Sequence, residues 1–523
     1  MADLATQAAR RFGENESLRH AGTSLSFDEL EQSIETFSDA LSSFDLSRYS
    51  RIAIYLNKQT EFVIAALGAC RYGGVFVPIN PVLKPAQVAY ILQDCGVELL
   101  VTNEARYKAM SAVAGDCTSL ATVVLVDGDG SESDEGNASV VSWAALMSSA
   151  GSGRHRSIAN DMAAILYTSG STGKPKGVVL SHANLVLGAQ SVATYIENSP
   201  DDRILAALPF SFDAGLSQLT TALYSGACVI LHDFFLPRDV IGVIEKESVT
   251  GLTGVPPLWM QLAELDWPEN AGAGLRYFAN TGGKMPKETL GRLRQIFPNA
   301  APFLMYGLTE SFRSTYLPPE QVDKRPESIG KAIPNAEVLV VNSDGQLCGP
   351  NEEGELVHRG PLVSLGYWND KPRTDERFRP APGQPDGLPT PELAVWSGDT
   401  VRTDDEGYLY FVGRKDEMIK TSGYRVSPSE IEEIAFDSGL ASEAIALGPR
   451  HPRLGQGILL VARAPNDAEP GTDALLAEYR RLLPGYMVPL EVVWRDDLPR
   501  NANGKIDRKQ LGGEFENHFQ PEQ

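Results

Sequence analysis

The sequence is poor in cysteine and has no cysteine pattern. Cys70, Cys95, Cys117, Cys228 and Cys348 lie singly along 523 residues. Their number is odd, and no Cys-x-x-Cys or Cys/His ligand spacing occurs, which argues against a disulfide framework or a zinc site. Buried free thiols in a reducing compartment are expected. Long apolar runs are also missing. The most apolar early stretch, Phe62–Cys70, is far below the roughly 20 residues that cross a bilayer. The first residues contain no apolar core of signal-peptide length. No membrane span and a cytoplasmic location are therefore expected, and the sequon Asn137-Ala138-Ser139 carries no weight. Positive charge is scarce: 46 Lys+Arg against 68 Asp+Glu give a formal net charge of −22. That balance argues against nucleic acid or an anionic membrane as a partner. No repeat of about 20–50 residues is visible, so solenoids and propellers are excluded. What is present is ordinary globular usage, 42% hydrophobic and 22% charged, over a length that calls for at least two domains.

From Arg51 onward, strand-like and helix-like segments alternate. Arg51–Leu56 is short, apolar and β-branched, whereas Glu61–Tyr72 has helical spacing and ends at Gly73-Gly74. Val75–Ile79, Lys84–Gln93 and Glu98–Thr102 continue as strand, helix and strand. Such alternation implies βαβ units, parallel sheet and helices on both faces. Residues 129–160, rich in Ser, Gly and Asp, are expected to form a mobile surface connection. Ala163–Tyr167, Asn184–Tyr195, Arg203–Leu208 and Ala227–His232 resume the pattern. Lys371–Pro391, crowded with Pro, Gly and charge, is expected to be a loop insertion. Gly407–Val412 is the next expected strand, and a domain boundary is placed near Gly413–Asp416. The segment from Ile419 to about Lys509 is long enough for one small α/β domain.

The segment richest in chemistry is Tyr167–Gly177, YTSGSTGKPKG. It is expected to connect an apolar strand to a helix beginning near His182. Three glycines, four hydroxyl residues and two lysines fall within these eleven positions. Glycines there let successive backbone N–H groups point at one anion, while hydroxyls and lysines add donors and charge. A phosphate grip follows from that chemistry. It is not a Walker A loop, which would need Gly at 168 and Ser or Thr at 175, where the chain has Thr168 and Pro175.

YTSGSTGKPKG resembles the phosphate loop of the adenylate-forming superfamily, which comprises acyl-CoA synthetases, luciferases and adenylation domains of nonribosomal peptide synthetases. Further matching segments follow in the family's order: TGGKMP at Thr281–Pro286, YGLTE at Tyr306–Glu310, SGDT at Ser397–Thr400, GRKDEMIKTSGYRVSPSE at Gly413–Glu430 and PRNANGK at Pro499–Lys505. The resemblance covers Tyr167 to Lys509. It implies a large N-terminal multi-subdomain α/β domain with mainly parallel sheets, residues 1–412, and a small mobile C-terminal α+β lid, residues 413–523.

It also implies roles. Joining a carboxylate to the α-phosphate of ATP brings two anions together, so the site must neutralise both. Thr168, Ser169, Gly170, Ser171, Thr172, Gly173, Lys174 and Lys176 would hold phosphate. Glu310 would bind Mg²⁺, and Thr309 would contact phosphate. Tyr306 would stack on adenine, with the Gly282-Gly283 backbone lining the other side, and Lys284 and Gly307 would also belong to the ATP/AMP site. Asp399 would hold the ribose hydroxyls, and Arg414 would lie near ribose and phosphate. Lys505 would be the catalytic lysine bridging carboxylate and α-phosphate. Asp416 would be the hinge, and Ser422, Gly423 and Tyr424 would enter the site for thioester formation, with Gly423 leaving room for a pantetheine arm. One departure is Leu304, which stands where many relatives carry an adenine-contacting Asn or Gln.

The acid pocket by resemblance is Asp213, Ala214, Ser217, Asn280, Thr281, Phe303 and Met305. Two signals conflict there. LPFSFD, Leu208–Asp213, is similar to amino-acid-activating members, in which such an aspartate pairs with the substrate ammonium. IKTSGYRVSPSEIE is more similar to acyl-CoA synthetases, and Asp213 could instead serve a structural hydrogen bond at a helix start near Ala214. The expected function is an AMP-forming acyl-CoA ligase using ATP, Mg²⁺ and CoA. The alternative is a stand-alone amino-acid-adenylating enzyme that loads the phosphopantetheine of a separate carrier protein. Only 18 residues follow Lys505, so no fused carrier domain is expected. A silent nucleotide-binding relative is disfavoured because Lys505, Glu310 and the loop glycines are all present.

Overall fold

Short apolar strands joined by helices build two sheets. The computed structural model describes residues 1–114, 117–128, 138–149, 151–168, 174–234, 236–414, 418–465, 471–499 and 506–520, with backbone alone at 111–114, 414 and 429. The early alternation is realised as strand Arg51–Tyr55, helix Thr60–Tyr72, strand Val75–Pro78, helix Pro85–Asp94 and strand Val97–Thr102. Helix Thr60–Tyr72 ends at Gly73, whose φ of 98° is a left-handed stop that suits glycine.

The first sheet contains seven strands among the described residues. Six are parallel, and the last pair, Met162–Thr168 with Lys176–Ser181, is antiparallel. The second sheet has a parallel ladder through Cys228–Leu231, Arg203–Ala206, Gly251–Gly254, Tyr277–Asn280 and Ala301–Tyr306. It then turns antiparallel through Thr315–Leu317, Ser328–Ala332, Leu409–Arg414, Leu393–Thr403 and Gly354–Arg359. The first of these antiparallel links are shorter than the dozen or so residues a parallel crossover requires.

The structure corrects three local expectations. Strand Lys176–Ser181 intervenes between the glycine-rich segment and helix His182–Ile196, so Thr168 and Lys176 bracket that segment as register partners of a hairpin. The buried run Val178, Val179 and Leu180 explains the extra strand. Strand Ser139–Ser142 and helix Trp143–Met147 lie inside the stretch expected to be irregular, and the Ser142 hydroxyl caps the helix by accepting from Ala145 N–H at 3.2 Å. Helix Lys371–Arg377 and strand Phe378–Pro380 begin the supposed loop insertion. Asp370 caps that helix, and Pro372 fits its first turn, where no N–H is needed.

Residues from Ile419 onward pack a separate core around Val426, Ile431, Leu460 and Tyr479, with two small sheets and helices Pro428–Asp437 and Thr472–Leu482. All five cysteines are free thiols, four buried and Cys348 half-buried. Among the described residues no helix is long and apolar enough to cross a membrane.

Candidate functional site

Adjacent parallel strands Tyr277–Asn280 and Ala301–Tyr306 end at one cleft of about 590 Å³. Ligands of open parallel sheets collect at the carboxyl ends of the strands, because turns there leave backbone groups and side chains free to converge. Thr281, Gly282 and Gly283 follow the first strand and Gly307 follows the second, and all four line the cleft. Gly282 adopts φ +75°, a backbone that disfavours side chains. Tyr306 lines the cavity too, and its hydroxyl hydrogen-bonds Asp399 of strand Leu393–Thr403. Asp399 is itself buried. Arg414, described by its backbone alone, stands directly opposite Asp399 in the ladder. Leu304 also lines the cleft, presenting an aliphatic surface.

Beyond Gly307 the chain turns through Leu308 into a short 3-10 turn, Thr309–Ser311. Glu310 is only 3% exposed, yet it has cationic company. Lys176 Nζ lies 3.1 Å from Glu310 Oε1, and the Tyr367 hydroxyl donates to the same oxygen at 2.6 Å. Burial pushes this carboxyl upward, but Lys176, Arg377 and Arg425 outweigh it and hold Glu310 well below the ordinary carboxylate range. Burial lowers the Lys176 ammonium in turn, against the opposing pull of Glu310. Lys176, expected at phosphate, therefore starts out bound to the expected metal ligand. Lys174 is exposed and lies over the Tyr90 ring at 5.9 Å. Lys284 stands exposed at the cleft rim in an ion pair with Glu327. Thr168 borders the cleft with its Oγ1 buried and without a partner among the described residues.

Asp213 opens helix Asp213–Ser225, with Phe212 at the N-cap, so it is not the cap itself. Thr309 Oγ1 donates to Asp213 Oδ1 at 3.2 Å, and Arg313 Nη1 lies 3.7 Å from Asp213 Oδ2. Burial raises the Asp213 pKa, with Arg313 and Thr309 opposing it. Ala214, Asn280, Thr281 and Met305 share the cleft wall with Asp213. Ser217 borders a small adjoining void instead. Phe303 lines neither space and packs against Tyr195 and Tyr277.

The opposite wall comes from the C-terminal unit. The turn between strands Ile419–Thr421 and Tyr424–Val426 brings Gly423 and Tyr424 into the cleft. Tyr424 meets Phe212 edge-on at 5.1 Å and stacks on Tyr486 at 3.6 Å. Ser422 donates its N–H to Leu454 O and does not line the cleft. Ser169, Gly170, Ser171, Thr172, Gly173, Asp416 and Lys505 lie outside the described residues.

Sequence reasoning missed Arg313 and Tyr367. Arg313 carried a usable signal, being a lone charge three positions past Glu310 in an otherwise polar and apolar stretch. Tyr367 carried none, since it reaches Glu310 from 57 residues away.

The sequence matches the family model described as AMP-binding enzyme over residues 5–368. It is 32% identical to indoleacetate–CoA ligase of Aromatoleum aromaticum over 94% of the chain and 93% of that protein. It is 29% identical to tyrocidine synthase 3 of Brevibacillus parabrevis over 94% of the chain, but spans only 7% of that synthase. A double mutant of o-succinylbenzoate CoA synthetase (MenE) from Bacillus subtilis, bound to its product analogue, has the same architecture. Its TM-score is 0.82 at 25% identity, covering 98% of each chain. The family match spans most of the chain, and YTSGSTGKPKG, TGGKMP and YGLTE each contribute residues to one cleft. The chain belongs to the family of AMP-binding enzymes, the adenylate-forming ligases.

Proposed function

We propose that this enzyme is an acyl-CoA ligase. It joins a carboxylic acid to the α-phosphate of ATP, releasing pyrophosphate, and then passes the acyl group from AMP to the thiol of CoA. One observation carries the reading: Asp213 and Asn280, Tyr306 and Gly282, and Gly423 and Tyr424 all border one cleft. Acid, nucleotide and thiol thus have walls in the same space. In the first half-reaction a carboxylate oxygen bonds to the α-phosphorus as the bridge to pyrophosphate breaks. Thr168 and the Ser169–Gly173 segment receive phosphate, Tyr306 and Asp399 position the nucleoside, and Lys505 offsets charge between the reacting anions.

Mg²⁺ suits Glu310, a carboxylate kept ionised by neighbouring cations. Mg²⁺ commonly takes one or two protein carboxylates and fills its shell with phosphate and water. No cluster of three metal-binding side chains occurs among the described residues. When bound, the ion supplies positive charge to the phosphates, and Lys176 must then share or release Glu310. Residues 1–412 and 413–523 act as separate units pivoting at Asp416. A second reading, amino-acid adenylation for a carrier protein, draws on Asp213 in the pocket wall. Arg313, 3.7 Å from Asp213, weighs against a substrate ammonium there.

Acid-dependent ATP–pyrophosphate exchange, followed by CoA addition, tests the proposal. Exchange followed by thioester is expected. Lys505→Ala should abolish exchange yet still transfer from supplied acyl-adenylate. No exchange across amino, fatty and aryl acids would defeat the ligase reading, and equal loss of both steps would defeat the two-position scheme.

A further inference from the structure

The acid pocket contains a buried ion pair that adenylation itself does not use. Arg313 is 2% exposed and forms part of the cleft wall. Its Nη1 donates to Thr281 Oγ1 at 3.0 Å and lies 3.7 Å from Asp213 Oδ2. The second distance is too long for a hydrogen bond, so the two charges balance while their hydrogen-bonding capacity stays partly unmet. Arg313 Nε has no partner among the described residues, and neither do Asn280 Oδ1 and Ser211 Oγ. All three residues are buried and border the same cleft. The wall therefore holds the charge pair together with buried polar atoms whose hydrogen bonds are unmet among the described residues.

Charge decides what can sit there. An ammonium placed against Asp213 would also face Arg313, and a second carboxylate placed on Arg313 would face Asp213. Either one adds an unbalanced charge to a desolvated pocket. A hydroxyl adds no charge, accepts from a guanidinium and donates to a carboxylate. We propose that Arg313 and Asp213 together select an acid whose tail carries an uncharged hydroxyl, with Arg313 as the specificity-determining residue. This rests on the acid–thiol ligase reading and narrows its substrate class.

The test is a ranking. The kcat/KM for exchange is measured with four acids on one skeleton, phenylpropanoic acid and its ring-hydroxy, ring-aminomethyl and ring-carboxy derivatives, and again on a hexanoic series. A site built to hydrogen-bond a hydroxyl discriminates strongly against analogues that lack it, so the hydroxy acid should lead by at least about 100-fold. Arg313→Met frees Asp213 and should move the preference to the amine-bearing acid. Asp213→Asn leaves Arg313 uncovered and should move it to the dicarboxylic acid. Should Arg313→Met fail to fold, Arg313→Lys and Asp213→Asn still report the ranking, with Arg313→Lys keeping the charge but weakening the hydroxyl preference.

If wild type favours a charged or unsubstituted acid, or if the variants keep the wild-type order, the inference is overturned and the ligase reading stands. If no acid of either series supports exchange, the ligase reading falls and the inference falls with it.

Discussion

Gly423→Ala is the sharpest perturbation of the proposed thiol wall. Gly423 has φ +81°, and a Cβ there would lie 2.8 Å from Val255 Cγ2 and 3.1 Å from Val255 Cβ. Val255 is the N-cap of helix Pro256–Glu264, which is anchored by the fully buried Trp259, so the wall has little room to retreat. Two costs arise, and they fall in different places. The left-handed backbone costs an alanine about 1–2 kcal/mol wherever the C-terminal unit sits, so it lowers stability generally. The clash with Val255 exists only when that unit is docked in the present arrangement. Overpacking of this kind costs about 1–3 kcal/mol, which reduces the docked population roughly 5- to 150-fold.

The expected result is asymmetric. Transfer from supplied acyl-adenylate to CoA, followed in single-turnover mode, should slow by that factor while ATP–pyrophosphate exchange changes little. Adding Val255→Ala removes the obstructing methyls and should restore most of the transfer rate. Equal loss of both half-reactions, or a double variant no faster than Gly423→Ala, would refute the reasoning.

Two further outcomes follow from buried carboxyl groups. Lys176→Met removes the cation 3.1 Å from Glu310 and leaves Arg377 and Arg425, so it should cost up to about 3–5 kcal/mol in urea unfolding at pH 7. Glu310 is held low, so its pairing stabilises above the ordinary carboxylate range and is lost as pH falls through and below it. The variant's deficit should shrink on acidification, and a deficit that does not change with pH would contradict the pairing. Glu430, which accepts from Gln87 Nε2 at 3.4 Å across the cleft wall, is pushed by burial up to about 7. Its contribution to docking is full below the ordinary carboxylate range and lost as pH rises through about 7. Thioester transfer should therefore decline over that interval, and Glu430→Gln should flatten the profile; an unchanged profile counts against Glu430.

Much of the architecture is legible in the residues. Apolar β-branched runs separated by helical spacing place four strands of the first sheet to within a residue or two, because parallel strands buried on both faces read as continuous apolar segments, whereas Thr122–Leu125 and Ser139–Ser142 went unread. The glycine-rich segment, YGLTE and SGDT stand out because chemistry concentrates there. The strand Lys176–Ser181 escaped notice because lysines and glycine at its start read as loop. The helix at Lys371–Arg377 escaped because proline and charge mask a helix whose stability comes from its Asp370 cap. The Glu310–Lys176–Tyr367 cluster and the Asp213–Arg313 pair depend on contacts between distant segments, and only the fold brings those segments together.

The joint between the two cores has a consequence for timing. Where the C-terminal unit meets the large body, the contacts include the Gln87–Glu430 hydrogen bond, the exposed Arg453–Glu264 ion pair at 3.2 Å and the edge of Tyr424 on Phe212. A joint that mixes polar and aromatic contacts, with an exposed ion pair among them, resembles a transient association more than a sealed one. On the reading that residues 413–523 move as a unit, the protein itself expresses little preference for one position. A bound molecule that contacts one position a hundredfold better, about 2.7 kcal/mol, can then carry the ratio of the two positions from about 1:10 to about 10:1. The acyl-adenylate would then act as both intermediate and clock, since its formation changes which position is favoured and its consumption resets the enzyme.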